Sequence, residues 1–148
     1  NSGVMIHCED PKNMGVNQSF PVCIEVQLLG GNGTDKRSTG NLCTPGTHVT
    51  YNDSIVTEHI VQSSSKTYHG DQWVHVEIEV WNDSLIKHFI NGKEVLQYSK
   101  PIIGGPVDYN QTYWKTNEGR SLKGGYIPLQ SESHPVEFKN IELLELPI

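Results

Sequence analysis

Residues 74–98 read VHVEIEVWNDSLIKHFINGKEVLQY, and this stretch decides the fold. Val74, Val76, Ile78 and Val80 alternate with His75, Glu77 and Glu79, the period of two that buries one strand face and leaves the other to water. A second apolar segment, Leu85 to Ile90, runs into Asn91-Gly92, and Lys93 to Tyr98 returns. Asn-Gly readily supplies the two positive φ angles of a tight hairpin turn, so the segments pair as antiparallel strands.

The same period recurs on both sides. Val22, Ile24, Val26 and Leu28 alternate with Cys23, Glu25 and Gln27 before the turn Gly30-Gly31-Asn32-Gly33. Val4, Ile6 and Cys8 share a parity opposed to Met5 and His7. A weaker strand is expected around Ile55–Gln62, and two more over Gly125–Gln130 and Val136–Leu146. The apolar parity of the last one changes near Lys139-Asn140, where a bulge would absorb the extra residue. Val22, Ile24, Val26, Val74, Val76, Ile78, Ile127, Leu129 and Phe138 are the predicted core. Pro101 to Lys123 is a long connection rich in Gly, Asn, Tyr and Trp, of the kind that usually serves function.

Composition points the same way. The chain has 14 glycines, 8 prolines, no alanine and only 35% hydrophobic residues, which suits short strands and turns rather than long helices. A length of 148 residues fits one domain. The expected architecture is all-β, an antiparallel two-sheet jelly-roll sandwich over residues 1–148, with at most one or two short helices.

Eleven basic against 17 acidic residues leave a formal net charge of −6, and no basic cluster exceeds Lys36-Arg37. A nucleic-acid partner is therefore not expected. No apolar run reaches the length of a membrane span. The chain opens at Asn1 without an initiator Met or signal peptide, which reads as a processed or trimmed chain. Cys8, Cys23 and Cys43 show no metal-type spacing; one bridge plus a free thiol is compatible with the count, and three buried thiols acting as small apolar residues is the preferred reading. Five Asn-x-Ser/Thr triplets, beginning at Asn17, Asn32, Asn52, Asn82 and Asn110, decide nothing alone.

The polar parity of three strands carries the candidate chemistry: His7, then Glu25 and Gln27, then Gln130 with Glu132 just beyond. If these strands are neighbours, a carboxylate, an imidazole and two amides share one sheet face, as a cluster of sugar hydroxyls or an acid/base pair requires. A solvated sheet face produces the same pattern. His75, Glu77 and Glu79 project from one strand face, but same-face neighbours lie about 6.5–7 Å apart and three could hardly reach one ion. There is no HExxH, no P-loop, no GxSxG and no dinucleotide glycine pattern. Glycosidases of the usual type need two carboxyl groups, for which Glu25, Glu132, Glu137 and Asp10 are available. Trp73, Trp81, Trp114, Tyr109 and Tyr113 are candidate platforms for a sugar ring, and Trp114 and Tyr113 stand out because they lie in the long loop.

Four stretches then fall into a familiar order: Asn-Ser-Gly-Val at 1–4, Ile-Glu-Val-Gln at 24–27, Ile-x-His-x-Ile-Asn-Gly at 86–92, and Gly-Tyr-Ile-Pro-Leu-Gln-Ser-Glu with Val-Glu-Phe-Lys-Asn-Ile between 125 and 141. Together they resemble the 3-keto-disaccharide hydrolase domain, a concanavalin A-like jelly roll related in architecture to laminin G domains. That resemblance implies a carbohydrate substrate, a glycosidic bond to cleave and a periplasmic, cell-envelope or extracellular setting. It also implies N-terminal strands ahead of the Asn-Ser-Gly motif, so the chain is expected to lack part of the family domain. Two positions depart from the family pattern, His7 in place of Arg and Val74 in place of Asn.

The resemblance further implies Glu25 or His7 as the base, with Gln27, Gln130 and His134 holding hydroxyls or an oxyanion. Glu132 and His134 are expected at the rim of the pocket and Trp114 over it. No cofactor is expected, and a divalent cation stays open. The alternatives are a non-catalytic carbohydrate-binding module and a structural or adhesive β-domain.

Overall fold

The computed structural model describes residues 1–147. Ten strands form, in chain order, β1 (Ser2–Ile6), β2 (Ile24–Leu28), β3 (Asn41–Cys43), β4 (Thr47–Tyr51), β5 (Ser54–Val56), β6 (Ile60–Val61), β7 (Val76–Trp81), β8 (Leu85–Ile90), β9 (Lys93–Ile103) and β10 (Leu129–Ser131). One short helix, α1 (Gln111–Thr116), lies in the long connection after β9. The first sheet has the order β10-β1-β2-β3-β6 and the second β5-β4-β9-β8-β7. Every named strand pair is antiparallel. This is a two-sheet sandwich of the jelly-roll kind. No helix among the described residues is long and apolar enough to cross a membrane.

The core forms where the apolar parities of the two sheets meet. Ile6, Ile24 and Leu42 of the first sheet pack with Val49, Ile86, Leu96 and Tyr98 of the second, and Ile78 and Val80 close one side. β8 and β9 form the expected hairpin, with Asn91 and Gly92 both at positive φ in the turn and a register shift between His88 and Phe89, and β7 pairs with β8 on its other side. His88 is the exception inside this core: fully buried on β8, its Nδ1 lies 2.8 Å from the Gly40 carbonyl and its Nε2 2.9 Å from the Tyr98 hydroxyl. Burial lowers its pKa to about 4, so it sits there as neutral imidazole.

Several expectations are corrected. The segment 55–62 is two strands in different sheets, because the chain crosses from β5 to β6 there. β3 and β4 are additional strands, too short or too irregular in alternation to be read from the sequence. Val136–Leu146 joins no ladder; Ile141, Leu143 and Leu144 are exposed, and Asn140 takes a left-handed φ of 52° at the parity change. Ile127 and Leu129, predicted as core, are 55% and 41% exposed. β10 pairs with β1 alone, and no described strand lies on its other side to cover them. Phe138 and Val74 are half-buried and lie outside the packed clusters.

Candidate functional site

The face of the first sheet turned away from the core is built in rows across the strands. One row runs Gln130 (β10), Gly3 (β1), Gln27 (β2), Asn41 (β3), each paired with the next in register. The adjacent row runs Met5 (β1), Glu25 (β2), Cys43 (β3). Ile24, Val26 and Leu42 take the other parity and hold this face in place from the core side. Glu25, Gln27 and Gln130 therefore lie on one face of three neighbouring strands.

Gly3 makes the cluster compact. A Cβ on Gly3 would stand 3.1 Å from Gln130 Oε1 and from both Cγ and Oε1 of Glu25, so the two side chains close over the bare backbone of β1. Glu25 is 3% exposed. Its Oε1 and the Oε1 of Gln130 are both buried with no hydrogen-bond partner, an arrangement that calls for a proton, a donor or a ligand. Burial, aided by the nearby Glu132 carboxylate, raises the Glu25 pKa to about 7. Gln27 is fixed from the far side: Asn41 Nδ2 donates to its Oε1 at 3.0 Å. Asn41 is fully buried and anchored in turn, donating to the Ser38 carbonyl and accepting from the Ser38 hydroxyl and the Ser63 amide. Cys43, opposite Glu25, is pushed up to about 12 by burial and the two carboxylates, so it stays a thiol.

The other predicted residues divide. Glu132 is beside the cluster, where its Oε2 accepts from Asn1 Nδ2 at 2.6 Å. His134 is exposed on the turn after β10, its carbonyl accepting from the Ser131 hydroxyl. His7 leaves the face. It takes φ 52°, which breaks the alternation of β1, and its Nε2 lies 3.1 Å from the Asn82 carbonyl in the β7–β8 turn of the opposite sheet. Burial lowers its pKa and keeps the ring neutral. Trp114 is likewise not a cover over Glu25. It anchors α1 by packing on Val22 and Ile103, with Val107 and Leu122 against it. His7 and Trp114 instead share a cleft of about 400 Å³ with Glu9, Asp10, Tyr113 and Arg120. Trp114 also lines a second cleft of about 350 Å³, with Gly46 and Gly104. Glu25 lines neither; what distinguishes it is its burial beside Gly3 and Gln130 and its raised pKa, not a deep cavity.

Gly3 and Asn41 are the members that sequence reasoning missed. Gly3 was visible in the Asn-Ser-Gly motif, and Asn41 shares the outward parity of Cys43 around the buried Leu42. Oxygen atoms of Glu25, Glu132 and Gln130 are the donor type a hard cation takes. Among the described residues no group of three His, Cys, Asp or Glu side chains is arranged to hold a metal.

The order of these elements also has a family counterpart. A family model described as the 3-keto-alpha-glucoside-1,2-lyase-like domain matches residues 1–144. The chain belongs to that family. As a lyase-like domain it is carbohydrate-related and glycoside hydrolase-like in kind, and the match spans the Gly3, Glu25 and Gln130 segments alike. No curated protein and no solved structure matches the chain.

Proposed function

We propose that this lyase-like domain cleaves glycosidic bonds in 3-keto-glucosides or 3-keto-disaccharides, with Glu25 as the general base. A ketone at C3 of a sugar acidifies the proton on C2, because its loss gives an enolate. Glu25 takes that proton, and the electron pair of the enolate expels the C1 oxygen. That oxygen leaves as an alcohol by taking a proton from the Glu25 carboxyl or from water, and addition of water across the resulting double bond completes hydrolysis. The observation that carries the reading is a buried carboxyl group poised near 7, with an oxygen lacking any partner, on a face that also presents two amides. A base is most effective when its pKa lies near the working pH. In this reading Gln27, oriented by Asn41, and Gln130, across Gly3, hold hydroxyls or the enolate oxygen.

The test compares the protein with Glu25→Gln on a 3-keto-glucoside. Turnover should fall by about 10²–10⁴-fold, with an unchanged circular dichroism spectrum. In the parent protein, kcat/KM should rise with pH through about 7, because only the deprotonated carboxylate accepts a proton. Equal turnover by both proteins would remove Glu25 from the chemistry. Sugar binding without turnover by either would put the carbohydrate-binding module ahead.

A further inference from the structure

The same sheet face carries a second arrangement, built from Cys8 and Cys23. The β1–β2 ladder pairs residues regularly as far as Ile6 with Ile24. Beyond that point His7, at positive φ, adds one residue to the first strand only. The Glu9 amide donates to the Val22 carbonyl at 3.0 Å, and the Val22 amide donates to Glu9 Oε1 at 2.7 Å. Glu9 thus stands opposite Val22, which sets Cys8 opposite Cys23.

The backbone groups of both cysteines point away from each other. Cys8 exchanges both of its hydrogen bonds with Tyr126. The Cys23 amide donates to the Pro45 carbonyl, and its carbonyl accepts from the Thr47 hydroxyl. Opposed residues with outward-pointing amides form the non-hydrogen-bonded kind of antiparallel pair, with Cα atoms about 4.5 Å apart and side chains at their closest. A disulfide spans Cα separations of about 4.4–6.8 Å. Both thiols are buried and in contact, with Met5 completing their cluster. Cys43 is in register with Glu25 instead.

We propose that Cys8 and Cys23 form a disulfide that fastens β1 to β2 at the His7 bulge, two residues from Glu25, leaving Cys43 a free thiol. Because both sulfurs are buried once the face is closed, the bond is made as the chain folds. One cysteine thiolate attacks the disulfide of an oxidant of the oxidised-glutathione class and releases one reduced thiol. The second cysteine thiolate then displaces the other half. Two protein thiols lose two electrons and two protons, and the oxidant disulfide becomes two thiols.

The experiment refolds the reduced protein either in a mixture of oxidised and reduced glutathione or with excess dithiothreitol. Each product is then denatured in an alkylating reagent and weighed. Oxidative refolding should leave one alkylated cysteine of the three, and reductive refolding three. Trypsin cleaves after Lys12, between the two cysteines, so the bond should join two separate peptides. The oxidised form should melt about 5–10 °C higher. Cys43→Ser should keep both the bond and the shift, while Cys8→Ser should lose both. Three alkylated cysteines after oxidative refolding, or a linkage through Cys43, would overturn the proposal. These readouts need no activity, so they fail or succeed independently of the role given to Glu25. Should Cys8→Ser not fold, the peptide map of the parent protein and of Cys43→Ser decides.

Discussion

A carboxyl group that ordinarily titrates near 4.5 but is held at about 7 in the folded chain ties stability to pH. The folded state binds the Glu25 proton more tightly than the unfolded state does. Its contribution is therefore fully present below about 4.5 and is lost as pH rises through about 7. Glu25→Gln keeps the shape and removes the charge. It should be more stable than the parent above pH 7 by on the order of 2 kcal/mol. Below pH 4.5 the two should unfold at the same urea concentration. A variant that loses turnover and gains stability together has lost a strained functional group, not a structural one. Gly3→Ala tests the same cluster from beneath. The new methyl group meets Glu25 and Gln130 at 3.1 Å and must push them aside by a few tenths of an ångström. Turnover should drop by roughly 10²-fold while the melting temperature moves little; unchanged kinetics would show that Glu25 and Gln130 need not be so close. The parity of Glu25, Gln27 and Gln130 was legible because each lies in a regular strand. His7 was not, because one left-handed residue turns the side chain to the other sheet without leaving a mark in the hydrophobic pattern.

At the scale of elements, alternation reports a period but not a partner. Within residues 74–98 the expected hairpin forms across Asn91-Gly92, and β7 pairs with β8 as the edge strand of that sheet. Val136–Leu146 alternates as well, yet no described strand is placed to pair with it. β3 has only three residues and β6 two, too few for any period to stand out. Asn41, on β3, was lost with it, although it is the residue that fixes Gln27. Ile24 and Leu129 separate the two situations. Ile24→Ala, fully buried between the sheets, should cost about 2–5 kcal/mol in urea unfolding. Leu129→Ala, on the uncovered edge strand, should stay within about 0.5 kcal/mol of the parent. Comparable losses at both positions would mean that the edge is covered in solution.

Across the whole molecule, His88 links the two sheets to the site. From β8 in the second sheet its ring reaches the Gly40 carbonyl, and the Gly40 amide donates to the Gln27 carbonyl on β2. Its pKa falls from the usual 6.5 to about 4, so the unfolded chain takes up this proton first as the solution is acidified. Stability present above 6.5 is lost as pH falls toward 4, opposite in sign to the Glu25 contribution. His88→Gln should be less stable than the parent at neutral pH but should lose less between pH 6.5 and 4, as urea titrations at stepped pH will show. A parallel decline in both proteins would place the acid sensitivity elsewhere. The pairing of β1 with β10 bears on how the protein comes into being. Gly3 and Gln130 are neighbours in space but are separated by nearly the whole chain, and closing so long a loop is slow and entropically late. During synthesis the β7–β8–β9 hairpins can assemble while Gln130 and Glu132 have yet to be translated. Until those two residues arrive, Glu25 lacks the Glu132 neighbour that helps hold its proton, and under the proposed chemistry the emerging polypeptide has a sandwich in progress but no competent base. Under the proposed chemistry, turnover has to wait by topology alone until β10 has been made and paired with β1.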